Sequence, residues 1–120
     1  MALAISLLLF ASCAAKGIDV NVSMFGPEEA LLYNGTVKVT AEPAYAIDAT
    51  KAAIAAGKLP DLVESEGFIS AIAGIESSST DGWLLYVNGE MAQVGANEQP
   101  VTEGDTVEWK YLNYNEAFAQ

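Results

Sequence analysis

The side chains best suited to contact a ligand lie in the C-terminal third of the sequence. Trp83 and Tyr86 are aromatic, and an aromatic face gives a flat ligand a large contact area at low entropic cost. The segment Gly95-Ala96-Asn97 follows, and small residues let backbone N–H and C=O groups approach a ligand closely. Each feature also has a structural alternative, core packing for the aromatic residues and a bulge or tight corner for the small ones.

The chain lacks the residues that most catalytic and metal-binding sites use. There is no histidine, so a Ser-His-Asp or Cys-His pair is excluded. The single cysteine, Cys13, excludes an intrachain disulfide and a cysteine cluster for zinc. The acidic residues could bind Ca²⁺, but no D-x-D-x-D-G spacing occurs, and a solvated surface is the usual role of such charge. We therefore expect no catalytic residue, no metal site and no enzyme activity.

The negative charge of the chain restricts the classes of molecule that it can bind. Sixteen acidic residues stand against five basic ones, and the formal net charge is −11. A phosphate backbone would repel such a chain, so nucleic acid is excluded as a partner. The length of 120 residues predicts one domain with little room for a deep internal cavity.

The N-terminus resembles an export signal. The apolar run Ala2–Phe10 is too short to span a membrane as a helix but suits the core of a signal peptide. Ala11-Ser12-Cys13 follows, and Phe10-Ala11-Ser12-Cys13 resembles the lipobox of bacterial lipoproteins, in which the cysteine is lipidated. Two features depart from that pattern: Phe10 stands where Leu is usual, and no Lys or Arg precedes the apolar run.

This resemblance implies a signal peptide over residues 1–12, lipidation at Cys13 and a short tether over residues 13–17. The protein would then be exported to the bacterial cell envelope and held at the outer face of the membrane by its lipid. A cleaved signal without a lipid is one alternative. A buried strand or helix with Cys13 in the core is another.

The rest of the chain predicts one small α+β domain over residues 18–112, followed by a tail over residues 113–120. Alternating apolar residues predict a strand from Ile18 to Met24, and Tyr33–Thr36 has the composition of a turn before a second strand. The Ala-rich segment Pro43–Gly57 predicts a helix. Further strands follow, and Asn88-Gly89 predicts a hairpin turn. This order predicts a β-grasp-like fold with one helix packed on a mixed sheet.

Residues 82–111 contain an unusual set of short motifs, in the order Gly82-Trp83, Tyr86-Val87-Asn88-Gly89, Val94-Gly95-Ala96, Glu103-Gly104-Asp105 and Val107-Glu108-Trp109. With these motifs the chain resembles the bacterial extracellular family known as the transcobalamin-like C-terminal domain, and the resemblance covers roughly residues 18–112. In vertebrate cobalamin carriers the matching domain covers one face of the corrinoid, and a helical barrel domain covers the other. The resemblance therefore implies at most a half-site for cobalamin or another corrinoid. It also implies that Trp83, Tyr86 and residues 95–97 lie near one another as the ligand-binding residues.

Two functions remain open from the sequence. The first is a surface lipoprotein domain that binds a small ligand, with a corrinoid as the named candidate and a helical-barrel domain supplied in trans. The second is a non-catalytic protein-interaction module of the cell envelope, which presents a sheet edge or a loop face to a protein partner.

Overall fold

A computed structural model of the chain describes residues 17–118. Within this range there are eight strands and two α-helices: β1 (Ile18–Phe25), β2 (Leu31–Val39), α1 (Ala46–Gly57), β3 (Val63–Ser65), β4 (Phe68–Ile72), β5 (Ile75–Glu76), β6 (Asp81–Val87), β7 (Glu90–Met91), β8 (Thr106–Asn113) and α2 (Tyr114–Phe118). None of the helices in this part of the chain has the length and apolar character needed to cross a membrane. The predicted signal peptide, Cys13 and most of the tether lie outside the described residues.

The main sheet has five strands in the order β2-β1-β8-β6-β7. The central strand β8 runs parallel to its neighbour β1, with Val22 opposite Val107, and the other neighbours are antiparallel. A smaller sheet, in the order β3-β4-β5, stands beside it. This mixed sheet with one main helix confirms the predicted α+β, β-grasp-like fold.

The hydrophobic core lies between α1 and one face of the main sheet. The alternation predicted for β1 is confirmed, because Val20, Val22 and Met24 are fully buried. The helix predicted in the Ala-rich segment is also confirmed, over Ala46–Gly57, and its buried residues are Ala46, Ile47, Ala49, Thr50, Ala53 and Ile54. At the start of α1, the backbone N–H of Tyr45 donates to the carboxylate of Asp48 at 2.9 Å, which supplies one of the partners that a helix end needs.

The turn predicted at Tyr33–Thr36 is wrong, because β2 runs without interruption from Leu31 to Val39. Asn34 and Gly35 pair with Ser23 and Val22 of β1, and the Ser23 hydroxyl donates to Asn34 Oδ1 at 3.1 Å. Pairing along the whole of β1 therefore outweighs the local turn preference of the Asn-Gly dipeptide. The chain reverses instead in the 3₁₀ turn at Pro27–Glu29.

The first residues of the predicted tail, 113–118, form regular secondary structure. Strand β8 extends to Asn113, and α2 follows it directly. The backbone N–H of Tyr114 donates to the carbonyl of Thr80 at 2.9 Å, so this helix is fastened to the loop before β6.

Candidate functional site

Trp83 and Tyr86 lie on opposite faces of the main sheet, contrary to the expectation that they share one surface. Trp83 is only 5% exposed; its indole N–H donates to the carbonyl of Ile75 at 2.8 Å, and its ring meets Tyr111 edge-on at 5.3 Å. Tyr86 faces the other way, with Lys110 Nζ 4.7 Å from its ring centroid. Successive side chains of a strand point to opposite faces of the sheet, so two residues three positions apart place their rings on opposite faces.

The segment Gly95-Ala96-Asn97 fastens other parts of the fold together. The backbone N–H of Ala96 donates to the carbonyl of Gly67 at 3.3 Å, and its carbonyl accepts the N–H of Ile47 at 3.0 Å. The Asn97 side chain lies against Gly67, in the space that a Cβ there would occupy. Both backbone groups of Ala96 are thus used within the protein and are not free for a ligand.

An open groove of about 330 Å³ separates β4 from β6, and we call it the β4–β6 groove. It includes three residues proposed from the sequence, Trp83, Gly95 and Ala96, but neither Tyr86 nor Asn97. Its full lining is Glu66, Gly67, Phe68, Ile69, Trp83, Leu84, Leu85, Met91, Ala92, Val94, Gly95, Ala96, Trp109 and Phe118.

Three residues of this groove were missed in the sequence and are its most exposed apolar side chains. Phe68 is 63% exposed, Phe118 61% and Val94 45%. They come from β4, the C-terminal helix and the loop after β7, and they belong to no common motif. Two local signals were present: Val94 directly precedes the predicted residues 95–97, and Phe68 follows the Glu66-Gly67 turn on the outward side of a short strand.

Tyr86 borders a different hollow, of about 530 Å³, with Met91, Leu112 and Glu116 among its walls. The ammonium group of Lys110 already lies over the ring of Tyr86, and the carboxylate residue Glu116 lines the wall of this hollow. The β4–β6 groove is more apolar and contains both tryptophans of the chain, so it is the better candidate for a ligand with an apolar face.

The acidic loop at Thr102–Asp105 is held by hydrogen bonds within the protein. Asp105 accepts from the Asn88 side-chain amide at 3.0 Å and from the backbone N–H of Thr102 at 2.8 Å. The hydrogen bond from Asn88 is the main reason that the pKa of Asp105 lies below its ordinary value, with further help from Thr102, although partial burial opposes the shift. Across residues 17–118, no three acidic or cysteine side chains are grouped so that they could hold a metal ion.

The solved structures that share the fold include the following two. Haptocorrin in complex with Cbi aligns with a TM-score of 0.67 and 21% identity over 80% of this chain and 25% of the haptocorrin chain. A protein from Ruminococcus gnavus, described as a "putative metal binding protein", aligns with a TM-score of 0.57 and 16% identity over 80% of this chain and 97% of its own. The chain thus spans about a quarter of haptocorrin. At these identities the likeness shows the fold alone.

A comparison with curated proteins finds no match. A family model matches residues 45–113, from the residue before α1 to the end of β8. This stretch contains the helix, the smaller sheet and most of the β4–β6 groove. Because the match covers more than half of the sequence, the chain belongs to the family described as Domain of unknown function (DUF4430).

Proposed function

We propose that this protein is a cell-surface domain that binds a small ligand with an apolar face in the β4–β6 groove, and that a corrinoid is the first ligand to test. The observation that carries the proposal is the convergence of Phe68, Val94 and Phe118, all exposed, on one groove. Contiguous exposed apolar surface on a soluble domain typically marks an interaction site. The fold shared with haptocorrin, whose structure contains Cbi, favours a corrinoid over other flat ligands.

The groove would supply only half of a corrinoid site. Its volume of about 330 Å³ is at the lower end of ligand pockets, and it is open to solvent. One face of a macrocycle bound there would remain in water, so we expect a dissociation constant of about micromolar or weaker, near −8 kcal/mol or less favourable. Tighter binding would need a partner that covers the second face, such as a helical-barrel domain in trans.

The test is a titration of the purified protein with cobinamide and cobalamin, followed by tryptophan fluorescence and absorbance. Both tryptophans line the groove, so a bound corrinoid should quench them directly. Phe68→Ser should weaken binding about tenfold, because it removes one exposed aromatic contact. Leu31→Ser is the matched control, since Leu31 is 59% exposed and lies at the opposite edge of the sheet.

Two results would count against the proposal: no fluorescence or absorbance change at millimolar corrinoid, or equal loss of binding in both variants. Trp83→Ala is a poorer probe. Trp83 is buried and hydrogen-bonded, so its removal would disturb folding as well as any site.

We further propose that the protein is exported and anchored by a lipid on Cys13. The support is the sequence Phe10-Ala11-Ser12-Cys13 after an apolar run of signal-peptide length. An anchored domain would hold its groove in the medium outside the membrane, where an extracellular ligand is available.

A protein-interaction module is the second candidate, and the β2 edge favours it. Strand β2 forms one end of the main sheet and is nine residues long. Natural edges are usually blunted by charge or proline, whereas Lys38 is the one charged residue of β2 and pairs with Asp19 at 3.0 Å. Slowed amide exchange in β2 on addition of a partner would support strand addition. Binding without such protection would contradict it.

A further inference from the structure

The lining of the β4–β6 groove contains no positively charged side chain. Glu66 is its one ionisable residue, and every other lining residue is apolar or glycine. The described lysines lie elsewhere: Lys38 pairs with Asp19, Lys110 lies over Tyr86, and Lys51 and Lys58 are in α1 and directly after it. A carboxylate or phosphate entering the groove would meet no positive charge there.

Three hydrogen-bond donors around the groove are occupied within the protein. Trp83 Nε1 donates to the carbonyl of Ile75, and Trp109 Nε1 donates to the hydroxyl of Thr50, each at 2.8 Å. The backbone N–H of Ala96 donates to the carbonyl of Gly67. Neutral donors such as these are the usual substitute for a cation in an anion site, and none of the three is available.

One backbone donor at the rim already binds a carboxylate. The N–H of Gly67 donates to Glu64 Oε2 at 3.1 Å, which brings a second negative charge to the rim that Glu66 also lines. The chain as a whole carries a formal charge of −11, so its long-range field has the same sign.

We infer that the β4–β6 groove selects uncharged or cationic ligands with an apolar face and rejects anionic ones of the same shape. This inference rests on the proposed function, because it specifies the chemical class of the ligand for the same groove. The selection should weaken as salt rises, since the Debye length falls from about 30 Å at 0.01 M to about 3 Å at 1 M ionic strength.

The test uses two pairs of probes that differ mainly in charge. N-phenyl-1-naphthylamine is neutral, and 1-anilinonaphthalene-8-sulfonate adds a sulfonate to the same aromatic frame. Aquated cobinamide is cationic, and cobyrinic acid carries carboxylates in place of its amides. At low salt we expect the anionic member of each pair to bind about tenfold more weakly or not at all, with a smaller difference in 0.5 M salt.

Two variants test whether the charge of Glu66 causes the preference for uncharged or cationic probes. Glu66→Gln removes the one charge of the lining, so it should reduce the preference between the members of each pair by about twofold or more at low salt. Glu42→Gln makes the same change in net charge at an exposed residue outside the groove and should leave the preference nearly unchanged.

Failure of this inference can be told apart from failure of the proposed corrinoid function. If both corrinoids bind equally well, or the sulfonated dye binds as tightly as the neutral one, charge selection is refuted while ligand binding stands. If neither corrinoid binds but the dyes differ as expected, charge selection stands and the corrinoid proposal fails. If none of the four probes binds, both are refuted.

Discussion

The hydrogen bond between Thr50 and Trp109 should be worth a measurable part of the stability of this domain. Thr50 is fully buried in α1, and its hydroxyl accepts Trp109 Nε1–H at 2.8 Å while donating to the carbonyl of Ala46 at 2.8 Å. The bond joins the helix to β8 across the core, and Trp109 also lines the β4–β6 groove. The same contact therefore supports both the fold and one wall of the candidate site.

The replacement Thr50→Val keeps the shape of the side chain and removes both hydrogen bonds. The indole N–H of Trp109, which is 3% exposed, would be left buried without a partner, at a cost of about 1–3 kcal/mol. The carbonyl of Ala46 retains its helical partner, the backbone N–H four residues on, so losing the hydrogen bond from the Thr50 hydroxyl adds little to the cost. We expect a net loss of about 2 kcal/mol, or a fall in Tm of about 8–16 °C for a domain of this size.

Chemical denaturation followed by circular dichroism measures this loss, and a double-mutant cycle with Trp109→Phe isolates the pair. The coupling energy should be about 1 kcal/mol or more, because each single variant breaks the same bond. Thr40→Val makes the same replacement at an exposed residue and should change stability by less than about 0.5 kcal/mol. If Thr50→Val were as stable as Thr40→Val, the reasoning would be refuted.

Three further predictions concern the anchor, the acidic loop and the β3–β4 turn. Cys13→Ala should shift the protein from the membrane fraction to the medium or leave its signal peptide uncleaved, and a variant that is cleaved normally yet stays in the membrane fraction would contradict lipidation. The lowered pKa of Asp105 means that its stabilising effect is present above the ordinary carboxyl range and lost as pH falls through its folded-state value; the stability difference between wild type and Asp105→Ala should therefore shrink from pH 7 towards pH 3, and a constant difference would argue against it. Gly67→Ala and Gly89→Ala both place Ala at positive φ, at about 1–2 kcal/mol, but only at Gly67 would the new Cβ meet Asn97, so Gly67→Ala should cost clearly more; equal losses in thermal melts would refute this packing.

The elements that the sequence predicted well are those whose local pattern agrees with their tertiary surroundings. The alternation of β1 and the apolar face of α1 both match the surfaces that are buried. At Asn88-Gly89, both residues have positive φ, as a type I′ turn requires. The same dipeptide at Asn34-Gly35 is part of a strand, because β1 offers partners along its whole length. Local sequence gives no sign of that difference.

The candidate site could be predicted only in part, for a geometric reason. Alternation along β6 already implied that Trp83 and Tyr86 would face opposite ways, so this separation was available from the spacing. The convergence of Phe68, Val94 and Phe118 was not, because these residues are brought together by the packing of the smaller sheet, the loop after β7 and the C-terminal helix. Exposed apolar residues far apart in sequence show their relation only in three dimensions.

The two candidate functions use opposite ends of the main sheet. The β4–β6 groove lies at the β6–β7 end, and the open edge belongs to β2, four strand spacings or about 19 Å away. A protein strand added to β2 would therefore leave the groove open, whereas a domain that covers the second face of a bound ligand must approach from the β6–β7 end. Phe68→Ser disturbs only the groove end, and amide exchange in β2 reports only on the opposite edge. Ligand binding and partner binding can consequently be tested independently, and this arrangement allows one domain to do both.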